Sequence, residues 1–172
     1  MPEVRLIGVD NEPLGIVNNV PSAAGGQRLL IDVVGTWNAT DKLTILANYD
    51  NGQQKDDSIG AVIDKYKWDG AAIYFNYQFT DQWSASLRGE FFDDKNGDRT
   101  GVVDPVSGAG QKWKEMTLTF AYAPTKHVVL RIEGRYDKSN INSAFIKNMD
   151  STVASANGDN QSSVALEGIY KF

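Results

Sequence analysis

Val128-Val129-Leu130-Arg131-Ile132-Glu133-Gly134-Arg135-Tyr136 decides the fold of this chain. Its even positions read Val128, Leu130, Ile132, Gly134 and Tyr136, and its odd positions Val129, Arg131, Glu133 and Arg135. A period of two sends alternate side chains to opposite faces of an extended strand, so one face is apolar and the other charged. Six further stretches alternate in the same way: 29–37, 43–49, 71–79, 83–91, 116–122 and 164–172. In 83–91, Trp83, Ala85, Leu87, Gly89 and Phe91 interleave with Ser84, Ser86, Arg88 and Glu90. Helical periodicity is almost absent. The fold class is all-β.

An internal repeat orders these strands. Trp37-Asn-Ala-Thr-Asp-Lys-Leu43, Tyr77-Gln-Phe-Thr-Asp-Gln-Trp83 and Tyr122-Ala-Pro-Thr-Lys-His-Val128 share one layout. Each runs from an aromatic through a Thr to the first apolar residue of the next strand, and the aromatics lie 40 and then 45 residues apart. The repeating unit is therefore a β-hairpin, with short polar junctions suited to tight turns. The other connections, at 50–65, 94–111 and 138–160, are long and rich in Gly, Asn, Asp and Ser.

Composition narrows the setting. Seventeen Lys plus Arg against twenty-two Asp plus Glu give a net charge of −5, which speaks against a nucleic-acid binder. There is no cysteine and one histidine, so disulfides, thiol chemistry and Cys- or His-rich metal sites are excluded. The mean hydropathy of −0.37, with no apolar run near eighteen residues, excludes a transmembrane helix. It does not exclude a membrane barrel, whose alternating strands average out as polar. A strand tilted by about 45° crosses a bilayer in roughly 9–11 residues, and these segments have that length. Trp37, Tyr77, Phe79, Trp83 and Tyr122 flank the short turns, while Tyr49, Phe91 and Tyr136 sit toward the long loops. Two aromatic girdles result, one for each interface. The expected architecture is an antiparallel up-and-down transmembrane β-barrel of about eight strands.

The closing row Val164, Leu166, Gly168, Tyr170 and Phe172 resembles the C-terminal strand signature of bacterial outer-membrane barrels, with Tyr170 and Phe172 as the assembly signal. Three other motifs carry a wider likeness: Tyr77-Gln78-Phe79-Thr80-Asp81-Gln82-Trp83, Leu87-Arg88-Gly89-Glu90-Phe91-Phe92-Asp93-Asp94 and Leu130-Arg131-Ile132-Glu133-Gly134-Arg135-Tyr136-Asp137. With Ala165-Leu166-Glu167-Gly168-Ile169-Tyr170-Lys171-Phe172, they make residues 27–172 resemble the OmpL-like β-barrel porins of Gram-negative bacteria. Members of that family are generally longer and these motifs resemble their C-terminal part, so the resemblance implies a bacterial outer-membrane location and leaves open that the chain is the C-terminal part of a larger barrel. It also implies outer-membrane lipids, the barrel assembly machinery and small hydrophilic solutes as partners, with a homo-oligomer as a further expectation.

Residues 1–26 form a separate N-terminal segment. Met1–Arg5 lacks a basic region followed by an apolar one, leaving open a mature chain, a fragment or a cytosolic protein. Glu3–Val17 resembles the opening strand–turn–strand of bacterial translation initiation factor three, but Asn18-Asn19-Val20-Pro21-Ser22 does not continue into that family's helix. The stretch is read either as a first barrel strand or as a foreign junction.

The polar rows supply the candidate site. Arg88, Glu90, Glu115, Arg131, Glu133, Arg135 and Glu167 are the expected pore-lining residues, and opposed charges on neighbouring strands should pair. A polar interior that merely satisfies itself is the competing reading. Asp94, Asn96 and Asp98 begin a calcium-loop spacing, but Arg99 and Pro105 stand where Gly and Glu belong. A solvated acidic loop is expected there. His127 has no triad partner, and Glu90 and Glu133 each have an Arg two residues away, so ion pairing explains them without catalysis. Neither enzyme activity nor a cofactor is expected. The leading function is passive diffusion of small hydrophilic solutes, against a non-conducting structural or adhesive barrel or, on residues 3–17 alone, a ribosome-associated protein.

Overall fold

The computed structural model describes residues 3–5, 28–55, 65–145 and 158–172. Their strands are β1 (Glu3–Arg5), β2 (Arg28–Asn38), β3 (Leu43–Lys55), β4 (Lys65–Gln78), β5 (Trp83–Asp94), β6 (Lys112–Thr125), β7 (Val128–Ser139) and β8 (Asn160–Tyr170). They form one antiparallel sheet in the order β1-β2-β3-β4-β5-β6-β7-β8, each strand beside its sequence neighbour. This is the up-and-down meander of a barrel wall. Among the described residues no ladder joins β8 back to β1 or β2, so the sheet is open. Among the described residues the opening stretch joins it through Glu3–Arg5, opposite Val34–Thr36, and the rest of the 1–26 segment lies outside the described residues.

The Thr of the hairpin repeat has a physical role. Thr40 Oγ1 accepts the N–H groups of Lys42 and Leu43 at 3.2 and 3.0 Å. Thr80 Oγ1 accepts those of Gln82 and Trp83 at 3.3 and 3.2 Å, and Thr125 Oγ1 accepts that of His127 at 3.2 Å. Each hydroxyl satisfies backbone donors that the tight bend takes out of the ladder. The third junction departs from the other two: the β6–β7 ladder shifts register between Tyr122 and Thr125, around Pro124.

Most strands outrun the alternating stretches. β3 continues to Lys55, β4 starts at Lys65 and β6 at Lys112, so both ends of the expected 50–65 connection are strand. Beyond the aromatic level the outward row turns polar, as with Lys65, Lys67 and Asp69 on β4. Apolar alternation fades there while backbone pairing continues. At the other end β8 stops at Tyr170, two residues short of the expected terminus.

Exposure is inverted relative to a water-soluble sheet protein. Met116 is 57% exposed and Leu166 80%, with Leu118, Phe120, Leu130, Ile132 and Val164 exposed beside them. On the opposite face Glu115 is 6% exposed, Thr117 5% and Asp137 1%. Among the described residues, the buried apolar side chains Trp68, Ile141 and Phe145 lie toward the long loops.

Candidate polar interior

Alternation and register put all seven expected lining residues on one face, since Arg88 stands opposite Thr117, Thr117 opposite Arg135, and Arg131 opposite Glu167. Phe120, Ile132 and Leu166 form the matching row on the other face. The polar face divides into three levels between the short turns and the long loops.

The middle level is a band of ion pairs. Arg88 forms a bidentate contact with Glu115, through Nε at 3.2 Å and through Nη2. Arg135 approaches Glu115 at 3.8 Å and holds Asp137 through Nη2 at 2.8 Å. Trp113 Nε1 and Gln161 Nε2 donate to the same Asp137 at 2.9 and 3.1 Å, and Thr117 Oγ1 donates to Glu115. Two nearly buried carboxylates thus sit among guanidiniums and neutral donors, the condition under which burying charge is tolerable. Glu90 stands directly opposite Glu115, and its Arg88 contact is 3.9 Å. The arginine serves the diagonal carboxylate on β6 in preference to its neighbour on β5.

Toward the short turns the face opens into a cavity of about 460 Å³. Small hydroxyl and amide side chains line much of it: Thr44, Asn76, Gln78, Ser84, Ser86 and Thr119. Arg131 and Glu133 border it and a neighbouring recess of about 360 Å³ that also reaches Glu167. Arg131 Nη1 meets Glu167 Oε2 at 3.1 Å, as the opposed charges predict. Glu133 instead accepts from Thr119 Oγ1 at 2.9 Å.

Toward the long loops, residues 95–111 fold onto the same face. Asp94 is buried at 1% exposed, and its Oδ2 accepts the N–H groups of Arg99 and Thr100 at 2.8 Å and the Thr100 hydroxyl at 3.0 Å. The expectation of a solvated acidic loop is corrected at this residue. Gly97, at φ 74°, makes the reversal that returns those donors to the carboxylate. The same turn carries the Arg99 guanidinium to 4.1 Å above the Trp68 ring, with Nη2 donating to Gln54 Oε1 at 2.5 Å. Arg28 Nη2 donates to that oxygen at 2.8 Å. Burial, reinforced by the like charge of Arg28, lowers the Arg99 pKa from its ordinary value. Trp68 fits because Gly52 stands directly opposite without a side chain: a Cβ there would lie 2.0 Å from Trp68 Cε2.

Sequence reading missed Arg28, Gln54, Trp68, Arg99, Trp113 and Asp137 as parts of this face. Parity carried the signal for Trp68, which shares its row with Tyr74, Asn76 and Gln78. It held none for Arg99, which arrives from a loop. His127 remains exposed, its Nδ1 3.0 Å from the Lys171 carbonyl oxygen.

A family model described as "Putative beta-barrel porin-2, OmpL-like" matches residues 7–172. The chain belongs to this family. The match includes every strand from β2 onward and begins inside the stretch that resembles initiation factor three. No curated protein and no solved structure matches the chain. For this porin-like β-barrel protein, the aromatics at the short turns are packed as a belt: Trp83 stacks on Tyr122 at 4.4 Å, and Tyr77 meets Phe79 edge-on at 5.0 Å. Tyr170 and Phe172 are exposed, with ring centroids 5.7 Å apart.

Proposed function

We propose that this protein is a bacterial outer-membrane barrel whose polar interior passes small hydrophilic solutes by diffusion, without covalent chemistry. One observation carries the reading: the cavity lined by hydroxyl, amide and paired charged groups lies on the face opposite the exposed apolar row. Water in such a space finds donors and acceptors on its walls, while the opposite row has the chemistry of a lipid contact. Arg88, Glu90, Glu115, Arg131, Glu133, Arg135 and Glu167 act as lining, their opposed charges discriminating among solutes by sign and size. Tyr170 and Phe172 serve as the signal for the assembly machinery.

The density of pairing around Glu115 and Asp137 favours a second reading, a barrel too well filled to conduct. Vesicles reconstituted with folded protein separate the two. Swelling in small sugars that declines with solute size supports diffusion; osmotically tight vesicles bearing folded protein refute it.

A further inference from the structure

The arginines and the lysines near the long loops occupy different faces. Arg28, Arg88, Arg99, Arg131 and Arg135 serve the polar interior. Lysines crowd the opposite face, just past the aromatic level near the long loops. Lys112 and Lys114 on β6 and Lys138 on β7 share the parity of Met116, Leu118 and Tyr136, and all three are exposed. On β3 and β4, Lys55, Lys65 and Lys67 do the same beyond Tyr49 and Ile73. Lys95 joins them through Asp69 at 2.5 Å and Asp93 at 3.3 Å. Seven lysines thus accompany three aspartates, Asp69, Asp93 and Asp159, an excess of four positive charges among the described residues of a chain whose net charge is −5.

The register sharpens the point. Lys114 stands directly opposite Lys138, and Lys55 directly opposite Lys65. Like charges facing across a ladder destabilise a sheet, and here the arrangement occurs twice on the outward face toward the long loops. Lys114 also stands opposite Phe91 and follows the exposed apolar row by one step. In a membrane-spanning wall that is headgroup depth, where lysine stems lie along apolar surface and extend their ammonium groups to phosphate.

We propose that Lys112, Lys114 and Lys138 form the centre of an outward-facing docking surface for the phosphates of an outer-leaflet glycolipid. The inference rests on the membrane-barrel reading above. Asp159 at 3.2 Å from Lys138 and Asp93 at 3.7 Å from Lys112 offset part of the positive charge; lipid phosphate offsets the excess, and the compact, mobile ammonium suits a fluid headgroup better than a rigid guanidinium fork does.

The test uses the full chain folded into phosphatidylcholine nanodiscs doped with diphosphoryl lipid A or with its dephosphorylated counterpart, with bound lipid read by native mass spectrometry. The unaltered protein should retain the phosphorylated lipid preferentially, and the preference should fall as salt rises. Replacing all three residues (Lys112→Gln, Lys114→Gln, Lys138→Gln) should reduce retention by about fivefold per lysine, and the matching Lys→Arg triple should keep most of it. Equal retention of both lipids by the unaltered protein overturns the proposal, whether or not the Gln triple folds. Undiminished retention by a folded Gln triple overturns it too. A chain that does not enter phosphatidylcholine discs overturns the membrane reading and this proposal with it.

Discussion

Replacing Ile132 by Arg tests the face assignment at its most sensitive point. Ile132 is the central member of the outward row Val128, Leu130, Ile132, Gly134, Tyr136 and stands opposite Phe120 on β6 and Leu166 on β8. Eight residue steps at about 3.4 Å span about 27 Å along the strand, or about 21 Å across the bilayer at a tilt near 40°. Ile132 then lies about 10 Å from either interface, close to the midplane, where a barrel pays about 2–4 kcal/mol for a lipid-facing Arg. That lowers the folded-to-unfolded ratio roughly 30- to 1,000-fold. Thr119→Arg is the matched control on the polar face. It removes the 2.9 Å hydrogen bond to Glu133, worth about 1 kcal/mol. It also places a guanidinium beside that carboxylate, next to the 460 Å³ cavity, so its net effect should stay within about 1 kcal/mol. Urea unfolding from lipid vesicles, followed by tryptophan fluorescence, measures both. Equal losses, or a larger loss from Thr119→Arg, would refute the assignment.

Other perturbations probe the interior. Glu115→Ala leaves Arg88 and Arg135 without their shared carboxylate; it should cost about 1–3 kcal/mol and, in planar bilayers, shift the reversal potential toward anion preference. An unshifted potential in a conducting variant would remove Glu115 from the lining. Gly52→Val drives a side chain into the space of the Trp68 indole and should destabilise by about 1–3 kcal/mol, with a changed tryptophan emission as the Arg99 stack opens. Asp104 accepts from the Ser107 and Val106 N–H groups and the Ser107 hydroxyl, and these hydrogen bonds, the Ser107 amide foremost, hold its pKa below the ordinary carboxylate range. A depressed pKa contributes stability above the ordinary value that is lost as pH falls through the folded one. Amide exchange in 104–109 should therefore stay slow as pH drops past about 4 and accelerate only below that; acceleration already at pH 5 would contradict the arrangement.

The parity of Val128–Tyr136 and its six counterparts was enough to read the strands, their antiparallel order and their two faces, because an apolar exterior imposes alternation residue by residue. Strand ends were legible only where that constraint applied. Past Tyr49 and Phe91 nothing in the solvent selects one parity over the other, so β3 and β6 continue unannounced to Lys55 and from Lys112. Opposed charges such as Arg131 and Glu167 could be expected from the rows. The choice of Glu115 over Glu90 by Arg88 could not, because it depends on diagonal geometry between two strands. Arg99 over Trp68 was hidden for a different reason: the approach is set by the Gly97 turn and the buried Asp94, a tertiary arrangement with no period.

The continuation of β4 from Ala71 back to Lys65, and of β6 from Met116 back to Lys112, raises a stiff parapet above the aromatic belt. Residues 95–111 are braced against its inner side by Asp94 and Arg99. Sequence exchange at the 104–108 tip is thereby mechanically insulated from the lipid-embedded wall. An epitope or affinity tag grafted at that tip would ride on a rigid mount and leave the bilayer-facing rows undisturbed.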